Sequence, residues 1–428
     1  FRLLVPHKLG GHEIDFIKYL EIINVVSMVD ASVAWCLNQN NVLGTLAAFM
    51  PEKLALEIWR DPDTVLSNGP SGNASVVISE KGYSLSGRWD FSSGFQHANW
   101  LVALAPVTYP NNPAFERKEM RNMFLQKQDI EIVDTWDVNG LRGTGSFSFI
   151  ANDVFVDQSK TFTEGEPPLH SGPIYIIPKP LMFSSGFATV ALGVARSSLN
   201  YAIQLANEKT PSKQEKLRDQ QSVQREIGKL EATYRSTKSY LDKSVSELWE
   251  SASLKGTIPE DFKADLRLAS TDAIRQSVNI VDRSYSLVGS NAIFNFNPIQ
   301  RKFEDIHAIS QQVQGRMEHY DSVGRFFLGK LISSVFQVDI NELLPHQLLE
   351  SPQIPPQSWL AIRPFGQHNG VRIIVKTIHA SQVWQQLEKA GGVPVGETSW
   401  NNMRIELGIP KKPNELNKDN NPWEVNLS

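Results

Sequence analysis

The chain has 428 residues, and its 42 Lys and Arg against 46 Asp and Glu give a net charge of −4, which removes the broad basic field that nucleic-acid binding requires. A composition 41% hydrophobic and 21% charged excludes a disordered chain, and at about 150 residues per domain the length predicts roughly three domains. The single cysteine, Cys36, excludes an internal disulfide framework and a Cys-rich zinc site and fits a reducing, cytoplasmic compartment.

From residue 1 to about 72 apolar positions recur at helical spacing: Phe16, Tyr19, Leu20, Ile23 and Val26 form one stripe, and Ala34, Leu37, Val42, Leu46 and Phe49 another. The chain opens at Phe1 rather than Met, so its natural N-terminus is expected further upstream. Over 73–177 the period falls to two, in runs such as Val76–Ile78, Tyr83–Ser86, Trp100–Leu104 and Phe147–Ile150, and a Pro-rich connection follows. Helical spacing returns over 178–330. Four stretches, near 181–208, 211–253, 259–288 and 299–330, predict an antiparallel four-helix bundle. Its most apolar run, Leu181 to Ala195, is interrupted by Ser184, Ser185 and Thr189 and falls short of the ~20 residues that span a membrane. Pro345, Pro352, Pro355, Pro356 and Pro364 mark a linker over 331–365. Beyond it, a strand at Gly370–Thr377 and a helix at Ser381–Ala390 make a small α/β unit over 366–428.

No His-Glu-x-x-His pair, Cys/His cluster, phosphate loop, strand-borne Gly-x-Gly-x-x-Gly or Gly-x-Ser-x-Gly elbow occurs. What remains is a strand ending in Trp89-Asp90-Phe91 that turns through Ser92-Ser93-Gly94. It offers an aromatic face and two hydroxyls at a sheet edge, with Gly94 letting backbone come close to a ligand. A flat ring with polar edges suits it. The turn Ser67-Asn68-Gly69-Pro70 and the aromatic Trp35 are further candidates to border such a ring.

The order of helical domain, β-domain and bundle, with the passages Asp30–Trp35, Leu85–Trp100 and Asn297–Ala308, resembles the acyl-CoA dehydrogenase superfamily over residues 1–330. Those passages are most similar to its reduced-flavin-dependent monooxygenases, the branch that includes dibenzothiophene and secosteroid hydroxylases. The resemblance implies a multi-domain α+β chain: an N-terminal helical domain, a barrel-like middle β-domain and a four-helix bundle, assembled as a homotetramer (a dimer of dimers). It implies reduced FMN or FAD held between β-domain and bundle, with Phe91 beside the ring, Ser93 near flavin N5, and Ser92, Gly94, Asn68 and Trp35 around them. Arg225, Lys229 and Arg301 are then candidates for flavin phosphate recognition, across a subunit boundary.

Acyl-CoA dehydrogenases need a carboxylate base. The first position where the superfamily carries one falls at Val313, and Pro167 to Asn207, which covers the other, contains no Asp or Glu. Hydroxylases of the branch carry a histidine in the last helix, and here that position is Gln312, whose amide donates a hydrogen bond but cannot shuttle a proton near neutral pH. His97, after the flavin strand, is the candidate to replace it. His307 projects about 140° away around the helix and is expected to be structural. The implied activity is a two-component monooxygenase that takes reduced flavin from a separate reductase and uses O2 to hydroxylate an aromatic or heteroatom-containing small molecule. Gln312, Ser93 and His97 are its catalytic candidates, with no metal and no membrane. An acyl-CoA dehydrogenase-like enzyme acting on a CH–CH group and a non-catalytic flavin-binding remnant are the alternatives. In the tail, Gly392–Pro410, Asn414-Glu-Leu and Asn421–Val425 resemble part of the folate-binding aminomethyltransferase-like proteins of iron–sulfur cluster maintenance. Glu406 falls where that family holds its pterin, and half a domain is expected to be a structural or vestigial appendage or a fusion of two gene fragments rather than a folate site.

Overall fold

Two aspartates start the first two helices. Asp15 Oδ1 accepts the N–H groups of Ile17 (2.8 Å) and Lys18 (3.2 Å) at the head of α1 (Phe16–Val29), and Asp30 Oδ1 accepts that of Val33 (3.0 Å) at α2 (Ala31–Gly44). The expected stripes face inward: Phe16, Tyr19, Leu20, Ile23, Ala34, Val42 and Leu46 are buried. This computed structural model describes residues 1–109, 119–164, 167–211, 215–336, 348–349, 359–365, 368–375 and 377–389, in two units, 1–319 and 320–428.

After α3 (Glu52–Trp59) the chain forms two four-stranded sheets. One has the order β1 (Leu66–Asn68), β4 (Trp100–Val107), β5 (Glu119–Leu125), β8 (Thr161–Phe162), with β1 parallel to β4. The other has the order β2 (Ser75–Ser79), β3 (Gly82–Ser92), β7 (Phe147–Asp157), β6 (Glu131–Val133). Trp89, Phe95, Leu101, Ala103, Met123 and Phe149 fill one core between them, with Trp89 stacked on Phe149 at 5.2 Å. Among the described residues no ladder joins the two sheets, so the barrel-like closure expected of this domain is not shown there.

The helical half consists of α4 (Lys179–Glu208), α5 (Gln221–Lys255), α6 (Glu260–Val288) and α7 (Pro298–Gln311). Two glycines let α4 meet α1 and α2 closely: a Cβ at Gly186 would lie 1.9 Å from Asn38 Oδ1, and one at Gly193 1.8 Å from Ser27 Oγ. The helix expected over 299–330 is two helices. At Gln312 the backbone turns extended and the side chain accepts the N–H of Gln314 at 2.7 Å, and a 3-10 turn at Val313–Gly315 precedes α8 (Glu318–Phe336). Arg267 and Arg275 on α6 hold that turn through Gln314 Oε1 and the Gly315 carbonyl. The first unit ends at His319.

The second unit carries the rest of α8, a three-stranded antiparallel sheet ordered β11 (His368–Ile374), β10 (Trp359–Phe365), β9 (Leu348–Leu349), and α9 (Thr377–Lys389). Strand β10 falls in the segment read as a Pro-rich linker. The folate-like passage from Gly392 to Val425, with Glu406, lies outside the described residues. Among the described residues no helix is long and apolar enough to cross a membrane.

Candidate functional site

The ladder between β3 and β7 shifts register between Trp89 and Ser92. Trp89 stays in the core while Phe91 takes φ +58, a left-handed conformation that costs an aromatic residue about 1 kcal/mol. Phe91 is thereby thrown outward, 65% exposed, with its ring edge against Trp136 at 6.2 Å. Ser92 and Ser93 turn inward and are buried. Gly94 follows at φ +74, where a Cβ would lie 2.7 Å from Asn40 Oδ1 on α2. The close approach expected at Gly94 is thus made by a side chain of this chain.

Ser93 is the centre of what assembles there. Its Oγ accepts the indole N–H of Trp35 at 3.0 Å and meets Ser146 Oγ at 2.8 Å; Ser146 Oγ meets Thr144 Oγ1 at 2.7 Å. The Ser93 carbonyl accepts Ser67 Oγ at 3.0 Å and Asn40 Nδ2 at 3.4 Å, and the neighbouring Asn68 accepts Gln39 Nε2 at 2.9 Å. Trp35 itself lies face to face with Phe187 of α4, ring centres 3.8 Å apart. The structure therefore brings Trp35, Asn68, Ser92, Ser93 and Gly94 to one place, between α2, the end of β3 and α4.

None of the other candidates is hydrogen-bonded to Ser93 through its side chain. His97 closes the turn by donating its backbone N–H to the Gly94 carbonyl at 3.0 Å, yet its ring faces outward. Arg301 is exposed and ion-paired with Asp30 at 2.6 Å, and Arg225 is exposed on α5. Gln312 is turned onto its own loop, and no hydrogen bond or ion pair joins it or Arg225 to Ser93. His307 meets Asp282 at 2.9 Å and packs edge-on to Phe303, a satisfied bundle histidine as expected. Residues the sequence did not single out are Asn40, Thr144, Ser146, Phe187 and Asp305. Asp305 is buried on α7, accepts the Leu141 N–H at 2.6 Å, and has its carboxyl raised above the ordinary range by that burial. The available signal was the glycine spacing Gly140, Gly143, Gly145. A Cβ at Gly140 would lie 2.0 Å from the Glu304 carbonyl, so this loop must lie directly on α7.

Chemically the cluster is a buried set of hydroxyls, an amide and an indole beside aromatic faces, without a carboxylate among the groups bonded to Ser93. Two of its polar atoms, Ser92 Oγ and Asn40 Oδ1, are buried with no hydrogen-bond partner, a condition that native interiors rarely leave uncompensated. A flat heteroaromatic ring with polar edges supplies what such atoms lack, and the residues present fit a flavin on that ground.

Residues 185–314 match the family described as acyl-CoA dehydrogenase, C-terminal domain. Indole-3-acetate monooxygenase of Pseudomonas putida is 29% identical over 332 residues, 77% of this chain and 84% of that protein. The oxygenase component of the FADH2-dependent resorcinol hydroxylase of a Rhizobium species is 24% identical over 351 residues, 76% of this chain and 82% of that protein. The crystal structure of the HsaA monooxygenase from Mycobacterium tuberculosis superposes with a TM-score of 0.69 at 25% identity, covering 77% of this chain and 86% of that one. Residues 185–314 thus match an acyl-CoA dehydrogenase C-terminal domain within an acyl-CoA dehydrogenase-like fold, and about three quarters of the chain is similar to flavin-dependent monooxygenases.

Proposed function

We propose that the chain is the oxygenase component of a two-component monooxygenase, taking reduced FMN or FAD from a separate reductase and hydroxylating an aromatic or heteroatom-containing small molecule with O2. The observation that carries this reading is the buried Trp35–Ser93 cluster with its unpaired polar atoms, in a homologue of oxygenase components. Bound reduced flavin supplies the electrons that activate O2. Ser92, Ser93, Gly94, Asn68 and Trp35 hold the ring, Phe91 flanks it, and the protein excludes water around it. Gln312, Ser93 and His97 serve the chemistry, Gln312 as an amide donor. Arg225 and Arg301 bind the flavin phosphates across the subunit boundary of a homotetramer, Arg301 by exchanging its Asp30 partner. On this reading residues 1–72, 73–177 and 178–330 are its three domains, 331–365 is a linker, 366–428 is an appendage, and the enzyme works in the cytoplasm. An acyl-CoA dehydrogenase reading is disfavoured by the exposed Val313 where a base would stand.

The test is to load purified protein with reduced FMN or FAD anaerobically, add indole-3-acetate or resorcinol as probe, and admit O2. Hydroxylated product is expected with at least one flavin. Hydrogen peroxide as the sole product with both flavins and both probes would overturn the monooxygenase assignment for these substrates; failure to bind either flavin would favour a remnant.

A further inference from the structure

The hydroxyls behind Ser93 form a chain with fixed ends. Trp35 Nε1 can only donate, and it donates to Ser93 Oγ at 3.0 Å. The Leu141 carbonyl can only accept. It takes the Thr144 hydroxyl at 2.9 Å, together with Trp136 Nε1 and the Thr144 N–H, both at 3.1 Å. Between these ends lie the Ser93–Ser146 contact at 2.8 Å and the Ser146–Thr144 contact at 2.7 Å. Three hydroxyls supply three protons for three O–H···O links, so every proton points the same way: Ser93 to Ser146, Ser146 to Thr144, Thr144 to Leu141. Reversing Thr144 would set its lone pairs against those of the Leu141 carbonyl. Trp35, Ser93, Thr144 and Ser146 are all buried, so bulk water does not relieve such a clash. The Ser93 oxygen has then committed its proton to Ser146 and one lone pair to Trp35. A single lone pair remains for a ligand.

We propose that Trp35, Ser146 and Thr144 are positioning residues that hold Ser93 as a hydrogen-bond acceptor, so that the site takes flavin in its reduced form in preference to the oxidised form. Reduction changes flavin N5 from an acceptor into an N–H donor, while the ring carbonyls and N3–H keep their roles. An acceptor-only hydroxyl therefore discriminates between the two redox states at that atom. The inference rests on the reading that flavin binds with its N5 facing Ser93. It adds the direction of the Ser93 hydroxyl, which no residue identity at position 93 could fix alone.

The experiment is an anaerobic titration of the purified protein with FMN and FAD, oxidised and dithionite-reduced, followed by flavin and tryptophan fluorescence. The parent is expected to bind the reduced form at least tenfold more tightly. Ser146→Ala removes the acceptor for the Ser93 proton, and Thr144→Val, nearly isosteric, lets Ser146 turn back toward Ser93. Both free the Ser93 proton for a ligand, and the preference is expected to fall by about tenfold through tighter binding of oxidised flavin. Ser251→Ala, a buried hydroxyl on α5 bonded to the Thr257 carbonyl, is expected to leave the preference unchanged. If Thr144→Val unfolds, Ser146→Ala carries the test. Folded variants that keep the parent's preference, or a parent that binds both forms equally, would overturn the proposal and leave the flavin reading standing. A parent that binds neither form would remove both.

Discussion

Asp305 on α7 and Leu141, in the loop before β7, are joined across 164 residues by a 2.6 Å hydrogen bond from the Leu141 N–H to Asp305 Oδ1. The carbonyl of the same Leu141 ends the hydroxyl chain from Ser93. The other oxygen of Asp305 lies 3.8 Å from Arg301, which holds Asp30 at 2.6 Å, and Asp30 caps the helix that carries Trp35. Both ends of the chain, the Trp35 donor and the Leu141 acceptor, are thus tied to α7.

Asp305→Ala is expected to cost about 2–3 kcal/mol, because a buried N–H loses a charged acceptor. Asp305→Asn keeps an acceptor and is expected to cost less. Burial raises the Asp305 carboxyl above its ordinary range. The stability linked to its protonation is therefore fully present below the unfolded-state value near 3.9 and is lost as pH rises through the folded-state value. Relative to the parent, Asp305→Asn should gain in thermal stability between pH 4 and pH 7; a difference independent of pH would contradict this assignment.

Opposite signs are expected at two helical glycines. Gly186→Ala would drive a methyl into Asn38, which is buried and fixed by the Tyr19 hydroxyl at 3.0 Å, for a cost of about 1–3 kcal/mol. Gly228, inside α5 and exposed, faces open space, with nothing within 4 Å of where a methyl would stand, so Gly228→Ala should stabilise by about 0.5–1 kcal/mol. Denaturant midpoints of the two variants give both signs in one series.

The helical stripes were legible because burial follows a 3.6-residue period: Phe16, Tyr19, Leu20 and Ile23 all point into the core. The strands of the β-domain were legible from alternation, but how their edges end was not, since a two-residue strand such as β8 leaves no pattern. The break at Gln312 was missed because arginines on a different helix hold it, a tertiary cause with no local sign. About half of the candidate site could be read: Ser92, Ser93 and Gly94 sit in one turn, and Trp35 stood out as an aromatic. Ser146 lies 53 residues from Ser93, and Thr144 beside it is an ordinary polar residue until the loop is folded. Asp305 resembled any helix charge, and only its burial sets it apart.

Cys36 is the sole thiol of the chain. It lies buried on α2 with Sγ 3.8 Å from the Thr144 carbonyl, and burial pushes its pKa up to about 12. At pH 8 about one molecule in ten thousand carries the reactive thiolate. A disulfide reagent such as Ellman's should release almost nothing from native protein in minutes and one equivalent after denaturation. Native reaction at the rate of a free thiol would mean that α2 opens readily.

Gln312→His tests whether the loop after α7 serves the proposed hydroxylation. The glutamine caps its own turn through an acceptor bond from the Gln314 N–H at 2.7 Å, and a histidine ring nitrogen can also accept there. What the substitution adds is a group that exchanges protons near pH 6.5. If position 312 reaches the reacting centre when flavin and substrate are bound, the fraction of O2 ending in hydroxylated indole-3-acetate or resorcinol should rise severalfold. Its pH profile should also differ from the parent's by an added inflection near pH 6.5. Peroxide release and product yield measured across pH 5.5–8.5 separate the outcomes: an unchanged, pH-independent ratio in a folded variant would assign the proton transfer to another residue, with His97 next to be replaced.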